Sequence, residues 1–310
     1  MRNIEPVNQI KLFGLDKYIK ELIHLVENNK LPSKILLSGQ KGLGKSTLAY
    51  HLINYVLTKN EKNSYNINTF QINPESNTYK TVLNKSNLNL IVIDVPFEKK
   101  IIDITQVRDV ILRLNKSSLN EKPRFVLIDN IEFLNTNSIN ALLKVLEEPT
   151  SNVHFILINN NKKILPTLLS RCLNFKVYLS NNENLTVAEN LLGGKINNFI
   201  NKDLINYYST PGNIYKIVNF GEVNNYDLLR LNLKEFIKLI IKNAHYKKNP
   251  SIKYLFFDYI EFYLNKINLN ISLDFFNRCN YFLKKISDVE KFNLDEESLY
   301  MEFEKEMLNG

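Results

Sequence analysis

Ile35-Leu36-Leu37-Ser38-Gly39-Gln40-Lys41-Gly42-Leu43-Gly44-Lys45-Ser46-Thr47 decides the reading of this chain. The apolar run Ile35–Leu37 predicts a buried strand, and from Ser46 to Val56 apolar residues recur at helical spacing. Between them, Gly39 to Ser46 satisfies the pattern G-x-x-x-x-G-K-[ST] in full. Strand, glycine-rich loop and helix in that order form a phosphate cradle. The glycines let successive backbone N–H groups turn toward phosphate oxygens, and the helix start adds its positive dipole end. Gly39, Gly42, Leu43, Gly44, Lys45, Ser46 and Thr47 are therefore the candidate nucleotide-binding residues. Lys45 is expected to reach the β- and γ-phosphates and the Ser46 hydroxyl to hold Mg²⁺. The implied ligand is ATP or ADP with Mg²⁺.

Working outward, Leu90–Ile93, Phe125–Ile128 and Phe155–Ile158 are further apolar runs. They are continuous rather than alternating, which fits strands of a parallel sheet covered on both faces. Phe175-Lys176-Val177-Tyr178 closes the sheet in this reading. Ile139, Leu142, Leu143 and Leu146 mark an amphipathic helix stopped by Pro149. Residues 60–88, rich in Asn and Ser, read as an irregular connection. Beyond about residue 180 the strand signal fades. Residues 181–220 read as a small helical unit broken at Gly193-Gly194 and Pro211-Gly212. In residues 225–308, Leu228, Leu231, Phe236, Ile237, Ile240 and Ile241 line one helix, and Tyr254, Leu255, Tyr259, Phe262 and Tyr263 another. The expected organisation is an α/β nucleotide-binding domain at 1–179, a helical lid at 180–222 and a helical domain at 223–310.

The run from Phe125 to Ile128 ends in Asp129, the form of a strand that delivers a magnesium-supporting carboxylate; the alternative is an Asp that caps the next helix. The following residue is Asn130, where many P-loop ATPases place a glutamate. An amide is neutral and cannot act as a general base. Glu132, two positions on, would point elsewhere if the strand continued. Slow or absent hydrolysis in this chain's own site is the expectation.

Composition narrows the context. The 310 residues carry a net charge of +8, but Lys99–Lys100, Lys162–Lys163, Lys247–Lys248 and Lys284–Lys285 are scattered, so phosphate contact is permitted and not required. Two cysteines, Cys172 and Cys279, are too few for a four-ligand zinc module and suit a reducing compartment. No apolar run of membrane-spanning length and no leader-like N-terminus is present, so a cytoplasmic location with no membrane contact is expected.

A resemblance then becomes specific. Asn140-Ala141-Leu142-Leu143-Lys144-Val145-Leu146-Glu147-Glu148-Pro149 resembles the helix after the acidic strand in AAA+ clamp-loader subunits, and Ser170-Arg171-Cys172 resembles their SRC signature. Ile156-Leu157-Ile158-Asn159 is similar to the sensor-1 strand, with Asn159 in the polar position. Pro166-Thr167-Leu168-Leu169 also fits, and Thr105-Gln106-Val107-Arg108 is similar to the opening of the helix before the acidic strand. Together they cover about Phe13 to Val177, and the chain is identified as a member of the bacterial DNA polymerase III clamp-loader family. The resemblance implies an AAA+ α/β domain, a lid and a helical collar, within a pentameric spiral whose nucleotides sit between subunits. It implies that Arg171 acts in trans as an arginine finger, neutralising charge on a phosphoryl group held by a neighbour. It implies gamma/tau and delta subunits, the sliding clamp and primed DNA as partners.

Two departures sharpen this. Gamma/tau subunits carry a zinc module and the catalytic glutamate, and both are missing here. Thr210-Pro211-Gly212-Asn213 resembles the sensor-2 segment, yet Asn213 stands where active relatives have arginine. Both point to a subunit that completes a neighbour's site. A self-sufficient AAA+ ATPase of gamma/tau or helicase-related type would need a carboxylate beside Asp129 and a charge at 213. A P-loop kinase of a small metabolite would leave the Asn140–Pro149 helix and Ser170-Arg171-Cys172 without a purpose.

Overall fold

A computed structural model describes residues 4–96, 101–116, 120–147, 152–207, 209–267, 273–292 and 294–308. Lys99–Lys100 and Glu148–Pro149 lie outside them, as does the side chain of Tyr254. The chain divides into two compact units, Met1–Val187 and Ala188–Gly310.

The first unit is built on five strands: β1 (Lys34–Ser38), β2 (Leu90–Ile93), β3 (Arg124–Ile128), β4 (Val153–Asn159) and β5 (Leu173–Lys176). All pair in parallel in the order β2-β3-β4-β1-β5. The four apolar runs read from sequence are strands. β5 begins two residues earlier than expected and ends at Lys176, although Val177 N still donates to Ser38 O. In β3, Phe125 to Ile128 are all at most 1% exposed, as a strand covered on both faces requires. Leu36, Val126, Ile128, Phe155 and Leu157 share one core with Val107, Val110, Leu142 and Leu146 from two helices described below. The alternate residues Ile35, Leu37, Phe125, Leu127, Ile156 and Ile158 face the other side.

The helices of this unit are α1 (Asp16–Glu27), α2 (Lys45–Thr58), α3 (Asn77–Leu83), α4 (Ile104–Leu114), α5 (Thr136–Glu147) and α6 (Pro166–Leu169). α1 packs on α2, and α4 on α5. α4 opens where Thr105-Gln106 placed it, with Asp103 and Gln106 forming a reciprocal capping box. α3 corrects the reading of residues 60–88 as wholly irregular. Ser76 caps it by accepting from Tyr79 N, and Tyr79 and Val82 are buried.

α7 (Asn181–Leu192) runs across the boundary between the units and ends before Gly193, whose φ is +73°. The second unit continues with α8 (Pro211–Val223), α9 (Leu233–Lys242), α10 (His245–Lys248), α11 (Pro250–Ile267), α12 (Leu273–Phe292) and α13 (Glu296–Phe303). Leu228 and Leu231 precede α9 instead of lying on it, because Asn232 and Glu235 form a capping box that starts the helix later. Phe236, Phe256, Phe282, Tyr300 and Phe303 make its aromatic core, with Tyr300 4.5 Å from Tyr246 between ring centres. Phe257 joins them, while Phe276 remains 48% exposed. Lys247 and Lys285 are ion-paired with Glu297 and Glu302. No helix among the described residues is long and apolar enough to cross a membrane.

Candidate functional site

Parallel strands bring their carboxyl ends to one edge of the sheet, and that is where the polar residues collect. β1 runs into the glycine loop, whose Gly39 N donates to Asn159 O at the end of β4 at 3.2 Å. Gly39 has φ +157°, and a Cβ there would lie 2.3 Å from the Val177 carbonyl oxygen, so a side chain is excluded by backbone. Gly44 sits at φ +88° as the N-cap of α2, a left-handed conformation that turns the chain into the helix. Leu43 is buried beneath the loop, and Gly42, also at positive φ, and Thr47 are half-buried beside it.

Lys45 is 3% exposed and folds along the loop, donating from Nζ to the carbonyls of Gly39 (2.9 Å) and Gln40 (2.6 Å). Burial pulls its ammonium down to about 8; the Asp129 and Glu132 carboxylates oppose that. The Ser46 hydroxyl donates to the Asp129 carboxylate. Burial pushes Asp129 up to about 6, with the bond from Ser46 opposing and the nearby Asp94 charge adding to the rise. The loop thus offers a backbone cradle with a cation in it, beside a hydroxyl and a carboxylate that touch. Hard oxygen donors of this kind suit Mg²⁺, and a buried carboxylate whose charge burial disfavours is the group a divalent cation would relieve. These residues fit a magnesium nucleotide.

Asn130 follows Asp129 in the left-handed conformation, φ +56°. Its Nδ2 donates to Asp94 Oδ1 at 2.7 Å, and its Oδ1 accepts from Asn160 Nδ2 at 2.8 Å. Asn160 also donates to Glu132 Oε1 at 2.9 Å. β3 stops at Ile128, and a 3₁₀ turn over Ile131–Phe133 carries Glu132 to this amide. Glu132 is therefore not on a continued strand; it joins the edge of the site, held by Asn160. Sequence reasoning gave Asp94, Glu132 and Asn160 no place in the site. The available signal was position: each stands within a few residues of a strand's carboxyl end.

Asn159 is 6% exposed, and its side-chain amide pairs with the Lys162 backbone, donating to O at 2.9 Å and accepting from N at 3.2 Å. Lys162 and Lys163 themselves are exposed. Arg171 makes its bonds elsewhere. Its Nη1 donates to the Thr167 carbonyl at 2.8 Å and its Nη2 to Glu147 Oε1 at 2.5 Å, an ion pair between α5 and the end of α6. Cys172, half-buried, has its thiol pushed up to about 11 by burial. In the second unit, Thr210 caps α8 by accepting from Asn213 N, and Asn213 is half-buried.

The family described as DNA polymerase III, delta subunit, matches residues 14–180. The chain is similar to the DNA polymerase III subunit delta' of Buchnera aphidicola subsp. Schizaphis graminum, 25% identical over 300 residues that cover 89% of this chain and 85% of the relative. It is similar to the tau/gamma subunit of Haemophilus influenzae, 30% identical over 175 residues covering 56% of this chain but only 24% of that protein. Among solved structures, a DNA polymerase III gamma subunit-related protein from Thermotoga maritima superposes with a TM-score of 0.52 at 16% identity, covering 94% of this chain and 98% of the other. That likeness bears on the fold: an α/β unit with a parallel five-stranded sheet, followed by helices.

Proposed function

The chain belongs to the delta-prime family of DNA polymerase III clamp-loader subunits, and from that premise we propose that it binds ATP or ADP with Mg²⁺ yet hydrolyses it poorly. In this reading Gly39, Gly42, Leu43, Gly44, Lys45, Ser46 and Thr47 hold the phosphates, Asn159 stands beside them, and Ser46 and Asp129 hold the metal. Bound Mg²⁺ would neutralise phosphate charge. The observation that carries the division of labour is the amide at Asn130. It donates one N–H to Asp94 and accepts from Asn160, and offers no base to an attacking water.

Arg171 is then the group this chain lends, stabilising charge on a phosphoryl group bound by an adjacent ATPase subunit. The partners in the proposal are gamma/tau and delta subunits, the sliding clamp and primed DNA. The test is co-purification with candidate loader subunits, followed by ATPase assay of the mixture against each component. A complex built with Arg171→Ala should lose about 10³-fold in DNA-stimulated ATPase. Full activity in that complex refutes the assignment.

A second reading, a self-sufficient AAA+ ATPase, draws support from Glu132, whose carboxylate lies close enough to influence Lys45. Its tie to Asn160 weighs against it, and a Glu132→Gln variant that abolished turnover by the isolated chain would favour it.

A further inference from the structure

Glu147 lies on the last described turn of α5. Its carboxylate is paired with Arg171, at 2.5 Å from Nη2 to Oε1. The second nitrogen of the same fork is held by the Thr167 carbonyl at 2.8 Å. A guanidinium is a rigid plane with five N–H donors. Two anchors on one plane fix its orientation and leave three donors unspent. Both anchors stand on the unit's core, through Leu146 beside Glu147 and Leu168 beside Thr167, each at most 2% exposed.

The pair itself lies in solvent, with Arg171 32% and Glu147 52% exposed. Ion pairs that open contribute little to folding. Arg171 is flanked in sequence by Leu169 and Leu173, 39% and 52% exposed. A cation held by two anchors and still open to solvent is available to a surface that another chain covers.

We infer that Glu147 is a positioning residue for Arg171: it fixes the guanidinium plane before a neighbouring subunit arrives, so that the remaining N–H donors meet the bound phosphate without first losing rotamer freedom. This rests on the proposed trans role of Arg171. Preorganisation of a charged group acts on the rate of the chemical step rather than on nucleotide affinity.

The experiment uses the loader complex reconstituted with this chain as wild type, Arg171→Ala, Glu147→Ala, Glu147→Gln and the double Glu147→Ala/Arg171→Ala. Glu147→Ala should lower kcat about tenfold with KM for ATP unchanged. Glu147→Gln, which keeps an acceptor oxygen, should fall less. The double variant should be no slower than Arg171→Ala alone, because the two residues act as one. If Arg171→Ala is crippled while Glu147→Ala runs at the wild-type rate or faster, the positioning role is overturned and the trans role stands; a faster Glu147→Ala would mean that the carboxylate restrains the arginine. Additive losses in the double variant also overturn it. If Arg171→Ala keeps full activity, the trans role itself fails. Should Glu147→Ala not enter the complex, Glu147→Gln decides, an unchanged kcat counting against the inference.

Discussion

The Ser46 hydroxyl, in the first turn of α2, donates to the carboxylate of Asp129 just past β3, closing 83 residues of sequence into one oxygen pair at the edge of the sheet. The carboxyl carries a cost there. Burial raises it from 3.8 to about 6, so without a cation the folded chain holds an unfavourable charge at neutral pH.

The sign of the pH effect follows from that rise. The folded chain holds the Asp129 proton more firmly than the unfolded chain, so this contribution to stability is full below about 3.8 and is lost as pH rises through about 6. The difference between those two values corresponds to a free energy on the order of 2–3 kcal/mol. Asp129→Asn should therefore raise the stability of the ligand-free chain at pH 7.5 and flatten its pH dependence between about 4 and 6. The same variant should weaken the Mg²⁺-dependent part of nucleotide affinity. Urea denaturation at pH 5 and 7.5, with calorimetric titration of ATP, checks both; a variant less stable than wild type at pH 7.5 contradicts the first.

Lys45 works in the opposite sense. Its folded value is lowered to about 8, so its charge costs stability below that pH, and the cost fades as pH rises from about 8 toward 10.5. Lys45→Ala should leave the ligand-free chain folded and at least as stable at pH 7. It should weaken ATP and ADP binding by about 100-fold or more, because charge-assisted contacts to phosphate are lost. Unchanged binding by calorimetry would rule out the phosphate cradle.

Asn130→Asp replaces an amide nitrogen by an oxygen and removes one hydrogen bond. The donor to Asp94 at 2.7 Å disappears and two carboxylates face each other, with Glu132 joined through Asn160. A cost of about 1 kcal/mol is expected at pH 8. It should shrink toward pH 5 as one carboxyl takes a proton, because an acid whose folded pKa is raised loses stability as pH climbs. Thermal denaturation at the two pH values reads it directly; equal losses at both would contradict the crowding.

The sheet and the glycine loop were legible because the central strands are buried on both faces, so Phe125 to Ile128 must be apolar without interruption. Gly39 was legible for a different reason: the Val177 carbonyl leaves no room for a Cβ. α3 escaped notice because it is seven residues long and shows only Thr78, Tyr79 and Val82 to the core, too few to establish a period. The polar net of Asp94, Asn130, Glu132 and Asn160 escaped because its members come from three strand ends and meet only when the parallel sheet aligns them. Glu147 and Arg171 both lie within family signatures, but their bond spans two elements and no local pattern announces it.

The central claim is that this chain grips a magnesium nucleotide without a group to activate water. Steady-state hydrolysis by the purified chain alone, at saturating ATP and Mg²⁺, tests it most directly. Nucleotide binding with turnover far below about 1 s⁻¹ is the predicted result. Turnover at or above about 1 s⁻¹ with no partner subunit present would contradict it.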